Sequence, residues 1–207
     1  MFALVDKSNN SITKMLNGNR GITLNDLQYP RAIYTLWTEA ERNAINIYEI
    51  TIDNTNKKNE KWYINTNITY AFDGTNATGS YGTATAKAHA DANYTAEDEE
   101  DGLGTEGELK SRGLKYSLIR TVKQQAANEL AKTDWYITRK AEKSTAIPSA
   151  ITTHRNLVRS RQAAMETSIT NASDTPALET LYTYVNTADE GDPEVYERPL
   201  AEIPTLD

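Results

Sequence analysis

The chain has 207 residues and a mass of 23.1 kDa, with 22 Lys+Arg against 29 Asp+Glu, two His and no Cys, for a net charge of −7. The absence of cysteine excludes a disulfide framework, thiolate zinc sites and Cys nucleophiles. No apolar run approaches the ~20 residues of a membrane-spanning helix, and Met1 to Val5 turns polar too early for a secretory signal.

Charge is distributed in blocks. Basic and acidic side chains number nine and nine in residues 1–96, none and seven in 97–108, twelve and four in 109–170, and one and nine in 171–207. A net negative chain argues against nonspecific nucleic-acid binding. Blocks of opposite sign are better matched to each other than to RNA, so the acidic C-terminal segment is expected on a basic helical surface, within one chain or between copies.

In chain order, Phe2 to Val5 and Ile12 to Leu16 flank the polar run Lys7 to Ser11 and predict an N-terminal hairpin. Thr38 followed by Glu41 three positions on matches a capping box and predicts one short helix to Ile45. Tyr48, Ile50 and Ile52 make one strand face. Trp62, Ile64, Ile68, Tyr70 and Phe72 alternate with polar residues as a second strand. Asp73-Gly74 reads as a type I′ turn, with the returning strand through about Thr75 to Thr83. Alanines alternate with polar residues from Thr83 to Ala92, a strand period written in a helix-forming residue, so both states stay open there.

Residues 97–108 hold seven acids and three glycines and read as a solvated linker. A calcium-loop register also fits, with Glu97, Glu99, Asp101 and Glu108 as ligands around Gly102. Against it, two early ligand positions hold Glu, and no convincing helix enters the loop. Beyond it the period changes to about 3.6. Leu114, Leu118, Val122, Ala126 and Leu130 predict a helix over about 108–131, and Thr133-Asp134 a short turn holding Trp135. A third helix from near Pro148 is expected to bury Ile151, Leu157, Val158, Ala164, Met165 and Ile169. A fourth, capped at Thr175-Pro176, is expected to bury Leu178, Leu181, Tyr182 and Val185. The last twenty residues carry three prolines and an apolar set, Val195, Tyr196, Leu200, Ile203 and Leu206, which reads as an extended acidic arm that docks on a partner.

The fold class that follows is α+β, with a β-rich, antiparallel domain at 1–93 containing one short helix. An acidic linker at 94–108, a small helical bundle at 109–187 and the arm at 188–207 complete the chain. No G-x-S-x-G, H-E-x-x-H, phosphate-loop or dinucleotide fingerprint occurs, and His89 and His154 lie in no catalytic spacing. The chain therefore reads as a non-enzyme with no cofactor and no metal. The five N-x-[ST] sequons are close to chance for this Asn, Ser and Thr content. Tyr63, Asn65, Asn67 and Thr69 read first as ordinary solvent-facing strand residues, with a sugar-binding face as the lesser alternative.

Leu130, Thr133-Asp134-Trp135, Arg139, Pro148, Arg155 and Arg159 resemble the L-x-x-(S/T)-D-W … R … P … R-x-x-x-R pattern in the C-terminal helical segment of tailed-phage proteins linked to tail fibres. Asp174 to Tyr184, Arg198 to Pro204 and the opening Met1 to Asp6 are similar to segments of small marine-phage structural proteins. The resemblance is strongest over 130–207. It implies a virion structural protein of the tail or fibre attachment region, assembled in the host cytoplasm. Other virion proteins and further copies of the chain are its expected partners, with neither nucleic acid nor membrane among them. A fibre assembly chaperone, a receptor- or glycan-binding module and a head decoration protein are alternatives. Trp135, Arg155 and Arg159 are then structural elbow residues, with Trp135 expected to close the helical core.

Overall fold

The first hairpin forms where its turn chemistry places it. In the computed structural model, which describes residues 1–206, β1 (Phe2–Asp6) pairs antiparallel with β2 (Ser11–Leu16). The Asp6 carboxylate accepts from the Ser8 amide and hydroxyl at 2.9 and 2.7 Å, and these bonds hold that carboxyl below the usual range. A further hairpin follows, β3 (Ile22–Leu24) with β4 (Leu27–Tyr29). Its two loop residues, Asn25 and Asp26, both have positive φ, the signature of a type I′ turn.

Two short helices come next, α1 (Ile33–Leu36) and α2 (Glu39–Ala44), where one was expected. The expected capping box is present in α2: Thr38 Oγ1 accepts from the Glu41 amide, and the Glu41 carboxylate accepts from the Thr38 amide. α1 has no capping side chain, which is why propensity alone gave no signal for it.

β5 (Ile47–Asp53) lies antiparallel to β1, and β6 (Tyr63–Ile64), β7 (Ile68–Phe72), β8 (Ala77–Tyr81) and β9 (Thr85–Ala86) follow. The main sheet has the order β2-β1-β5-β8-β7, while β6 pairs with β9. The sheet is mixed, because β8 runs parallel to β5, with Ile50 opposite Ala77. The hairpin of β7 and β8 folds back so that the small-residue strand sits beside β5. A Cβ on Gly79 would come within 3.0 Å of Tyr70, Ile52 and Ile68 side chains, so a larger residue there forces these side chains to shift. The turn itself is four residues, not two: Phe72 faces Ala77, and the Asp73 carboxylate accepts from the Thr75 and Asn76 amides at 2.8 and 2.7 Å. Of the Asp73-Gly74 pair only Gly74 has positive φ, which excludes type I′.

The strand expected through Trp62 to Phe72 is broken between β6 and β7. Trp62 and Phe72 are buried, but Ile64 and Tyr70 are exposed. The two edge strands, β2 and β7, approach each other, so the sheet curls. The curl gathers Ala3, Val5, Tyr48, Ile50, Phe72 and Ala77 into one cluster, with the Tyr48 and Phe72 rings 4.7 Å apart. Ile22, Ile33 and Tyr34 pack with Leu16 and Ile47 in a second cluster.

The chain divides into two compact units, Met1–Thr85 and Ala86–Asp207. In the second, β10 (Ala92–Asn93) pairs with β11 (Leu109–Ser111) around α3 (Ala96–Glu100). The acidic segment is therefore a loop closed by a strand pair rather than a tether. Thr95 and Asp98 form a second capping box, and Lys110 reaches Asp98 at 2.6 Å, which with the Thr95 amide holds the Asp98 carboxyl below its usual range. α3 also covers the opening positions of the calcium register. Glu97 and Glu99, two residues apart on a helix, point to different sides. Among the described residues no three His, Cys, Asp or Glu side chains converge to hold a metal ion.

The helices are α4 (Leu114–Ala131), α5 (Asp134–Lys143), α6 (Ser149–Asn171) and α7 (Thr175–Tyr182). Residues 109–113, expected as helix, belong to β11 and the helix entrance. The ambiguous stretch before β10 is neither helix nor long strand. Its Ala88 and His89 carbonyls accept from the Leu114 and Lys115 amides at 2.9 and 3.0 Å, and the Asp91 carboxylate accepts from the Gly113 amide at 2.8 Å. These are donors that a helix start leaves unpaired. A Cβ on Gly113 would lie 2.3 Å from the Ala90 backbone, so this strap requires glycine.

α4 and α6 pack together through Leu118, Val122 and Ala126 on one side and Ile151, Val158, Met165 and Ile169 on the other. Two expected core residues of α6, Leu157 and Ala164, are exposed, and Arg155 is buried instead. α7 is capped by Asp174, whose carboxylate accepts from the Ala177 amide at 2.8 Å, and ends at Tyr182. Val185 therefore lies outside it, in the ribbon formed by β12 (Val185–Asn186) and β13 (Tyr196–Glu197). None of the ten residues of α5 is buried, so the helical part is an antiparallel pair with two short additions rather than a bundle of four equal helices.

Candidate functional site

The sequence-predicted residues of the C-terminal half fall into three places. The first is the turn from α4 to α5. Arg155, only 7% exposed, donates through Nη1 to the Leu130 carbonyl at 2.7 Å and to Thr133 Oγ1 at 2.6 Å, and its Nη2 pairs with Asp134 at 2.9 Å. A cation here meets the free carbonyl end of α4, where the helix dipole favours it. Arg155 is thus an elbow residue. Arg159 is exposed and reaches only Asn156, at 3.5 Å. Trp135 does not close the core: it is 52% exposed and stacks with Tyr136, ring centroids 3.8 Å apart. The elbow interior is filled by Thr133 and Arg155, whose two Nη groups the turn engages while its buried Nε has no partner, and the indole projects from a helix with no buried residue.

The second place is where the arm returns to the helices. Leu200 is 1% exposed, and its amide donates to the Leu181 carbonyl at 2.9 Å. Ile203 is half-buried and Leu206 exposed, yet the Leu206 amide donates to Glu129 Oε1 at 2.8 Å. Glu129 is itself 5% exposed. Its Oε2 pairs with Lys132 at 2.5 Å, and its Oε1 also lies 3.1 Å from His154 Nε2. The Lys132 hydrogen bond, foremost, and the Leu206 amide hold the Glu129 carboxyl below the usual range. The arm docks in its own chain, but through one apolar anchor and backbone bonds. Among the described residues its acids form no ion pair with a base of α4, α5 or α6; Glu202 pairs with Arg198 of the arm itself. Nothing in the sequence marks Glu129 as buried, because the regular stripe runs through its neighbour Leu130 and a carboxylate beside such a stripe normally faces solvent.

The third place is the ribbon. Tyr184, Val185, Val195 and Tyr196 are all about half exposed, and Asn186 Oδ1 accepts from the Val195 amide at 3.1 Å across the strands. Tyr184 donates to Glu202, and Arg198 lies over the Tyr184 ring at 5.4 Å. Val195 and Tyr196 are therefore free surface, whereas Leu200 is an internal anchor.

The Tyr/Asn/Thr strand face is not assembled. Asn65 is engaged with the Lys58 backbone at both amide atoms, each at 2.8 Å, and Thr69 donates to the Ser80 carbonyl at 3.3 Å. Among the described residues no helix is long and apolar enough to cross a membrane. Comparison of the chain with protein-family models, with curated proteins and with solved structures finds no match.

Proposed function

We propose that the chain is a non-enzymatic structural protein of a tailed-phage virion, part of the tail or tail-fibre attachment region, where several copies bridge larger virion components. The observation that carries this reading is the convergence of motif residues. Leu130, Thr133, Asp134 and Arg155, four positions of the pattern resembling tail-fibre-linked proteins, meet in one hydrogen-bonded elbow. Leu130, Thr133 and Asp134 adjoin in sequence, and what supports the reading is that Arg155, 21 residues beyond Asp134, closes on all three. The exposed ribbon and the uncovered α5 supply surfaces for bridging.

Mass spectrometry of purified particles of the phage that encodes the chain tests the proposal. A stoichiometric amount in the particle is the expected result. Presence in infected cells but absence from particles overturns it in favour of an assembly chaperone. Retention of host polysaccharide on a column of the purified chain would instead make it a receptor-binding module.

A further inference from the structure

Two elements of the second unit are too small to stand on their own. α5 has ten residues and buries none of them, although isolated helices shorter than ~12–15 residues are marginal in water without a packed face. The ribbon has two residues in each strand, and an isolated two-stranded hairpin is marginal too. Their surfaces are opposite in charge and alike in aromatic content. On α5, Tyr136, Arg139, Lys140 and Lys143 follow the i, i+3, i+4, i+7 spacing of one helical face. The Arg139 guanidinium lies 4.6 Å from the Trp135 ring and 5.2 Å from the Tyr136 ring. With Asp134 paired to Arg155, Glu142 is the remaining acid of that helix. Between Asp189 and Glu197 the ribbon carries five acids and no base, flanking the exposed Val195 and Tyr196. Trp, Tyr and Arg are the residue types that dominate interface energetics, and a desolvated Arg-aromatic stack gains most from an acidic partner.

We propose that α5 of one copy receives the acidic ribbon of a second copy, with Arg139, Lys140 and Lys143 facing Glu194 and Glu197 and the Trp135 and Tyr136 rings covering Val195 and Tyr196. The choice of a second copy rests on charge complementarity between two uncovered surfaces of one sequence. Among the described residues no ion pair joins them within the chain. Each copy carries both surfaces, so the contact either closes reciprocally as a two-fold dimer or runs head to tail into a ring or filament. It is also small, so association is weak, concentration-dependent and salt-sensitive. The proposal deepens the virion reading by naming the surface through which copies meet. Its test uses the isolated chain, so its failure leaves the particle experiment untouched.

The experiment is sedimentation of the full chain and of two charge-reversed variants, R139E/K140E/K143E and E194K/E197K, at low and high salt. The wild type is expected to associate at low salt and to dissociate as salt rises. Each variant alone is expected to stay monomeric, and an equimolar mixture of the two to associate again. All these substitutions lie on exposed or half-exposed positions, and circular dichroism checks that each variant folds. Trp135→Ala is expected to weaken association about tenfold or more. As a reading independent of any variant, zero-length cross-linking of mixed light and heavy wild-type chains is expected to join Lys140 or Lys143 of one copy to Glu194 or Glu197 of another. A wild type that is monomeric throughout, charge-reversed variants that associate like it, or intermolecular links from the ribbon to Lys115 or Lys123 of α4 would overturn the proposal.

Discussion

The two units treat aromatic side chains in opposite ways. In the first, Tyr34, Tyr48, Trp62 and Phe72 are buried, and Tyr70 is the one ring at the exposed end of the range. In the second, no aromatic ring is fully buried, and Tyr116, Trp135, Tyr184 and Tyr196 stand out in solvent while aliphatic residues and Arg155 fill the interior. In the curled sheet of short strands, rings join the aliphatic residues in the interior and bridge strands, as the Tyr48 and Phe72 pair does. An antiparallel helix pair closes well on Leu, Val, Ile and Met, so its rings are left for other use. Surface aromatics beside bases and acids are the composition of an interface, not of a core.

Substitutions at four positions test this contrast. Phe72→Ala removes a ring from the first unit's core and is expected to cost about 3–5 kcal/mol in a denaturant melt. A cost below ~1 kcal/mol would mean that the curled sheet has no consolidated interior. Arg155→Ala removes the charged donor shared by the Leu130 carbonyl and Thr133 Oγ1 and the partner of Asp134, leaving the carbonyl only its Thr133 amide and hydroxyl donors, with an expected cost of about 3 kcal/mol. Arg155→Lys recovers part of that, since one ammonium cannot reach all three partners. Leu200→Ala empties the arm's anchor and is expected to cost about 2–3 kcal/mol, with amide exchange at 200–206 rising more than exchange in α6. Trp135→Ala is expected to cost under ~1 kcal/mol of stability, since the ring is mostly exposed. A loss near that of Phe72→Ala would restore the ring to the core.

Acid sharpens the arm's part in the comparison. Glu129 has a folded pKa below its unfolded value, so its contribution is present above the unfolded pKa of about 4.3 and is lost as pH falls through the lower, folded one. Protonation takes a lone pair from the oxygens that receive Lys132 and the Leu206 amide. Amide protection at Leu206 is therefore expected to fall below about pH 4 while the core amides of α4 remain protected. Glu129→Gln, which keeps an acceptor but no charge, should remove that pH dependence.

Local chemistry made part of this legible in sequence. The Thr38 and Glu41 capping box, the Lys7 to Ser11 turn and the stripe of α4 each depend on neighbours in sequence and each formed, and that of α6 formed except at Leu157 and Ala164. The parallel pairing of β5 with β8 did not show, because nothing local distinguishes a strand that returns beside its predecessor from one that skips past it. α3 was hidden by composition. Seven acids suggested a solvated segment, yet Thr95 with Asp98 three residues on is the same capping signal as at Thr38. At the elbow the motif marked the right residues and size misled about which one is inside. Trp135 has more apolar area to bury, but Arg155 has three acceptors in reach of its two Nη groups.

The second unit's exposed rings and charges are proposed above to join copies of the chain. Amide hydrogen exchange of the full chain at low salt across a wide range of protein concentration tests this most directly. Protection is expected to rise together at 135–143 and at 184–197 as concentration increases, with 1–85 unchanged. Exchange at those two segments that is independent of concentration, or a rise confined to other segments, would contradict it.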